Sequence, residues 1–172
     1  DLTDEYAAIP NECRAVAAVC GGEVLREVPF ETFFAKLPEC RKACGDRAVL
    51  RAFHIYADNE RVAQQVAALR RGDFDTFLAL LNESGDSSWE YLQNVIPAGY
   101  KEHQEVAVAI AAAKHLLNGR GGVRVHGGGF AGTAQAFVPL DLLDEFKAGM
   151  EAILGAGRCH VLSIRPEGGA VL

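Results

Sequence analysis

Apolar residues recur at helical spacing through most of the first two thirds of the chain. Ile9, Cys13, Val16 and Cys20 predict a first helix from about Asp4 to Cys20. Thr3 or Asp4 can cap it, and Gly21-Gly22 ends it. Pro10 falls in its first turns, where a missing N–H costs least. Val24 to Phe30 is ambiguous between a short strand and a loop, and two short helical pieces follow, around Phe30 to Lys36 and Pro38 to Cys44. From Asp46 the signal is helical again. Asn59 is placed to cap a segment carrying Val62, Val66 and Leu69, closed by Gly72; Asp73 then caps Phe74, Phe77, Leu78 and Leu81. Asn82 to Tyr100 is rich in turn residues, with a short helix at its centre. A helix from about Glu102 to Leu117 carries Val106, Ile110, Ala113 and Leu117 on one face, and Asn118-Gly119 stops it.

Beyond that point the period drops from 3.6 to 2. Val123 and Val125 alternate with Arg124 and His126, and Ala134, Ala136 and Val138 alternate with Gln135 and Phe137, which reads as two half-buried strands. Asp141 is placed to cap a helix with Leu142, Phe146, Met150 and Ile153 on its inner face. Cys159 to Ile164 reads as a last strand. Many helices followed by strand, loop, strand, helix and strand predict an α+β fold, an antiparallel sheet covered by helices. The 172 residues fit one domain, and no internal repeat is visible.

Composition narrows the class. Hydrophobic residues make up 49% of the chain without a run close to membrane-spanning length, so no membrane partner is expected. A formal net charge of −6 argues against nucleic acid and anionic surfaces. The polar start DLTDEYAAIP does not read as a secretory leader, and a first residue of Asp reads as a piece of something longer. Five cysteines are an odd number for a disulfide framework and suggest free thiols in a reducing, cytoplasmic setting. Cys13 and Cys20 share a helix face and read as small core residues. Cys40 and Cys44 lack the second ligand pair that zinc needs, and no metal site is expected.

The stretch VRVHGGGFAGTAQAFVPL, Val123 to Leu140, puts Gly127, Gly128, Gly129 and Gly132 between the two strands. Bare backbone reaches positive φ and lets another group come close. Successive free amides in such a turn can hold an anion, usually a phosphate. The alternative is a bulged hairpin in which the glycines only relieve crowding. A strand follows rather than a helix, which excludes the dinucleotide fingerprint, and no Lys follows the glycines, which excludes the P-loop.

VHGGGFAGTAQAFVP resembles the third motif of the GHMP small-molecule kinases, a GGGFGG sequence between two strands. Within that superfamily the chain is most similar to the galactokinases. Arg51 to Val62, RAFHIYADNERV, resembles a helix pattern of that family, and Tyr6 followed by Glu12-Cys13 resembles a second one. The resemblance implies the C-terminal domain of such a kinase, ferredoxin-like in ancestry, acting with ATP and Mg²⁺ on the anomeric hydroxyl of galactose or a related sugar. It also implies that the catalytic Asp and most of the ATP and Mg²⁺ contacts lie in an N-terminal domain that this chain lacks, so no catalytic residue is expected here. Tyr6 matches a sugar-contacting tyrosine. Gly127, Gly128, Gly129, Phe130, Ala131 and Gly132 match the loop that closes over substrate and phosphate. Ala131 and Thr133 depart from the family pattern, and Ala7-Ala8-Ile9-Pro10 lacks the family's paired arginines, which opens the sugar's identity. Related readings are a kinase for another small alcohol or sugar and a non-catalytic sugar sensor of the same fold.

Other polar residues read as structural. His126 precedes the glycines and could face a phosphate, but on an alternating strand a structural role is commoner. His54, beside Arg51 and Asp58, reads as a buried, hydrogen-bonded histidine. His103, His115 and His160 have no ligand spacing. Ser84, Asp86, Ser87 and Ser88 lack a nucleophile elbow, and Asp73, Asp75 and Asp86 lack the EF-hand register. Trp89 and Tyr91 read as core or interface residues.

Overall fold

The computed structural model describes residues 2–130 and 132–169. The chain runs α1 (Thr3–Cys20), a 3-10 turn (Leu25–Glu27), α2 (Phe30–Ala35), α3 (Leu37–Cys44), α4 (Asp46–Arg70), α5 (Phe74–Ser87), a π turn (Ser88–Leu92), α6 (Glu105–Leu117), β1 (Gly122–His126), β2 (Thr133–Phe137), a 3-10 turn (Leu140–Leu142) and α7 (Leu143–Leu154). It is an α+β arrangement in which one antiparallel hairpin, β1 with β2, packs among helices. The register pairs Gly122 with Phe137 and His126 with Thr133. Among the described residues no helix is long and apolar enough to cross a membrane.

Two apolar clusters form. In the first, Val16, Ala17 and Cys20 of α1 meet Phe33, Cys40, Val49 and Ala52 from α2, α3 and α4. Phe33 stacks on Tyr56 and meets Phe53 edge-on, and each such ring pair contributes about 0.5–1.5 kcal/mol beyond the area it buries. In the second, Val123 and Val125 of β1 face Ile110, Ala113 and Leu117 of α6 and Phe146 and Met150 of α7. The period-2 and period-3.6 patterns thus meet in one core, as the apolar faces predict. Gly85 lets α5 lie close against β1: a Cβ there would stand 2.8 Å from that of Arg124.

Several expectations need correcting. Asn59 caps nothing: α4 runs unbroken for 25 residues, because neither Asp58 nor Asn59 is followed by a helix breaker. In its far half Ala68 is the buried position, while Val62, Val66 and Leu69 face outward and are exposed. Asp73 does cap α5, its carboxylate accepting from Thr76 N at 3.1 Å. The turn-rich reading after Asn82 is displaced by helix up to Ser87 and then the π turn, because α4 and β1 pack on both sides of this segment. Asp141 does not cap α7; its two carboxylate oxygens accept from Arg120 at 2.8 Å each, and a 3-10 turn leads into the helix. Ile153 is exposed while Phe146 and Met150 are buried. Cys159 to Ile164 forms no strand, and Val161, Leu162 and Ile164 stay exposed. On β1, Val123 N donates to Asn82 Oδ1 at 3.0 Å, so a side chain rather than a further strand takes that amide.

Candidate functional site

The loop between β1 and β2 sits under Tyr6 of α1 and on the segment that follows the π turn. Tyr6 Oη donates to Gly129 O at 3.0 Å, and its ring meets Phe130 edge-on with centroids 5.2 Å apart. From the other side, Asn94 O accepts from Phe130 N at 2.5 Å, and Asn94 Nδ2 donates to Gly128 O at 3.4 Å. The loop is thus gripped at 128, 129 and 130 by two distant parts of the chain.

Much of the glycine requirement is answered by this grip. Gly129 has φ +84°, and a Cβ there would stand 2.1 Å from Asn94 O. A Cβ on Gly128 would stand 2.6 Å from the Tyr6 ring. Close internal packing therefore accounts for two of the four glycines, as the crowding alternative has it. Gly127 is different: it has φ +64° with open space around it. Phe130 is a buried aromatic held at φ +57°, an outlier for a bulky residue. Gly127, Gly128 and Gly132 are exposed, whereas Gly129 and Phe130 are buried. The loop is thus seated on one side and open on the other. Among the described residues, the amides of the exposed Gly127 and Gly128 find no acceptor. Ala131 lies outside the described residues.

The helix motifs explain how the seat is held. Arg51 has a fully buried side chain that donates to Glu12 Oε2 at 2.8 Å and to Leu92 O at 3.0 Å. Arg47 reaches Glu12 Oε1 at 2.5 Å. Burial works against the Arg51 charge and Glu12 works for it. This pair fixes the end of the π turn, after which Gln93 takes a left-handed conformation (φ 56°) and delivers Asn94 to the loop.

A second buried network lies alongside. His54 Nδ1 is 2.9 Å from Ser87 Oγ, and its Nε2 is 3.7 Å from Asp58. Asp58 Oδ1 accepts from Arg61 at 2.8 Å and from Ser84 Oγ at 2.6 Å, and Arg124 donates to Ser84 Oγ at 2.6 Å. Burial lowers the His54 pKa, with Asp58 opposing that shift and Arg61 and Arg124 reinforcing it. The network ties α4 and α5 to β1, so His54 and the serines act as structure. His126 is exposed at the loop's root. Cys20 and Cys40 are buried with their sulfurs 3.7 Å apart, and burial pushes the Cys40 thiol up to about 12, an inert pair rather than a nucleophile. Among the described residues no group of three His, Cys, Asp or Glu side chains is placed to hold a metal ion.

Asn94 is the residue that sequence reasoning missed. It lies in a segment without periodicity, and only the fold brings it to a loop 34 residues further on.

No family model matches the sequence. The galactokinase of Mannheimia succiniciproducens is 30% identical over 146 residues, which is 85% of this chain and 36% of that protein. The galactokinase of Glaesserella parasuis shows the same identity and coverage, and that of Haemophilus influenzae is 29% identical over the same length. This chain is a relative of the galactokinases. It spans little more than a third of the length of these galactokinases, 36% of each. A match of that extent is consistent with a C-terminal fragment of such a kinase. The residues behind the resemblance fall into one connected assembly: Glu12 binds Arg51, Arg51 holds the turn before Asn94, and Asn94 and Tyr6 grip the glycine loop.

Proposed function

We propose that this chain is the C-terminal part of a galactokinase, which transfers the γ-phosphoryl group of ATP to the anomeric hydroxyl of galactose. The observation that carries the reading is the loop: exposed glycine amides without acceptors among the described residues, beside a tyrosine, in a galactokinase relative. An anion fits there because bare amides donate without a side chain in the way. Tyr6 donates its proton to Gly129 O, and its oxygen keeps lone pairs that can accept from a sugar hydroxyl. In this reading the chain binds and orients, which is most of what phosphoryl transfer asks of a protein. ATP supplies the phosphoryl group when bound. On the galactokinase reading, the catalytic carboxylate and the Mg²⁺ ligands belong to a part of the protein outside these residues.

Residues 1–172 alone are expected to phosphorylate nothing. Co-expression with the N-terminal part of the protein should restore ATP-dependent phosphorylation of galactose, measured as ADP release. Substantial turnover by residues 1–172 alone would refute this division of labour, and a panel of sugars assayed with the restored enzyme tests the identity of the substrate.

A further inference from the structure

Asn94 is 2% exposed, yet its Oδ1 has no hydrogen-bond partner among the described residues. A buried amide oxygen left unpaired is destabilising, and an apolar side chain of similar shape would avoid the penalty. The other two polar groups of this residue are both spent on the glycine loop: the main-chain oxygen accepts from Phe130 N, and Nδ2 donates to Gly128 O. Between them, the missing Cβ of Gly129 leaves the space that Asn94 O and Nδ2 occupy, since a Cβ would stand 2.1 and 2.7 Å from them. One residue thus meets three successive loop positions, directly beneath the exposed amides. Local rules broken without visible compensation gather at functional sites.

We infer that Asn94 is the positioning residue of the glycine loop, kept as Asn for the loop's geometry at the expense of folding stability. It touches no reacting group. It sets the loop from below, and the Glu12–Arg51 pair sets it in turn through Leu92 O. The effect on turnover rests on the galactokinase reading; the effect on loop order does not.

The test uses the intact protein, with any chain that flanks these residues, and the variant Asn94→Leu. Amide hydrogen exchange should speed up about tenfold or more across 126–133, with α6 unchanged and Tm no lower than that of the parent. With ATP and galactose, kcat should fall about tenfold while KM for the sugar moves little. Unchanged exchange in the loop would overturn the inference. So would equal loosening of α6 with a large drop in Tm, because Asn94 would then be ordinary packing. If Asn94→Leu does not fold, Gly129→Ala keeps Asn94 but bars its approach, and the same loop-confined rise in exchange is expected. A parent protein that phosphorylates no sugar overturns the galactokinase reading, while the exchange result still decides the role of Asn94.

Discussion

Arg51 and Asn94 are both buried polar side chains on the route to the glycine loop, and they are satisfied to different degrees. Arg51 spends its guanidinium on Glu12 and Leu92 O, and the neighbouring His54, Asp58, Ser84 and Arg124 pair in the same complete way. Asn94, just beyond the π turn, retains a buried oxygen with no partner among the described residues. The difference separates two jobs. Where polar groups hold helices and the π turn together, Arg51 included, each buried one has a partner among the described residues. At Asn94, which touches the loop itself, geometry takes precedence over satisfaction.

The comparison breaks most visibly at Arg51. Arg51→Ala should destabilise the protein by about 2–3 kcal/mol, since it strips the buried Leu92 carbonyl of this donor and leaves Glu12 with Arg47 alone. Urea unfolding monitored by circular dichroism measures it, and a loss well under 1 kcal/mol would mean that the pair is not holding the π turn.

A smaller effect comes from pH. Burial lowers the His54 pKa from 6.5, so the folded protein keeps a neutral imidazole while the unfolded chain takes up a proton near 6.5. The contribution of His54 is therefore complete above about 6.5 and is lost as pH falls through the lowered folded value. The carboxylates held low by their partners, Asp46, Asp73, Asp141 and Glu151, start from 3.8 or 4.5 and act only in more acid solution. Tm should accordingly be lower at pH 5.5 than at pH 7.5, and His54→Gln should flatten most of that slope. An unchanged slope in the variant would place the titrating group elsewhere.

Tyr6→Phe should cost least, toward the lower end of about 0.5–1.5 kcal/mol, because Gly129 O keeps its bond from Gly132 N and the ring still meets Phe130. Its signature is loop exchange that rises with little change in Tm. A Tm loss as large as that of Arg51→Ala would make Tyr6 part of the core rather than a clamp on the loop.

The helices with strong apolar faces were legible in the sequence. Val106, Ile110, Ala113 and Leu117 are all buried, as their spacing predicts, and Asp73 caps α5 as its position predicts. The hairpin was legible too, with Val123 and Val125 inside and His126 out. Misreadings fell where a local signal had to compete with distant packing. Asn59 looks like a cap, but helix continues through it because α4 is anchored by Arg51 and His54. Cys159 to Ile164 reads as a strand and stays outside the sheet, because apolar residues in a row do not by themselves supply a pairing partner. At the loop, the glycines pointed to the place but not to the reason for two of them, which is the closeness of Tyr6 and Asn94.

The chain's own order of residues was enough to determine an α+β layout, a glycine-rich bend between two short strands, and kinship with sugar kinases. Periodicity and turn chemistry act over a few residues and need no knowledge of what lies across the molecule. Tertiary structure alone decided that Glu12, Arg51, Leu92 and Asn94 form a line of support ending at Gly128 and Phe130. Those contacts join positions 34 to 41 residues apart, and only the packing of α4 on α1, α5 and the π turn, with α5 in turn on β1, brings them within hydrogen-bond reach.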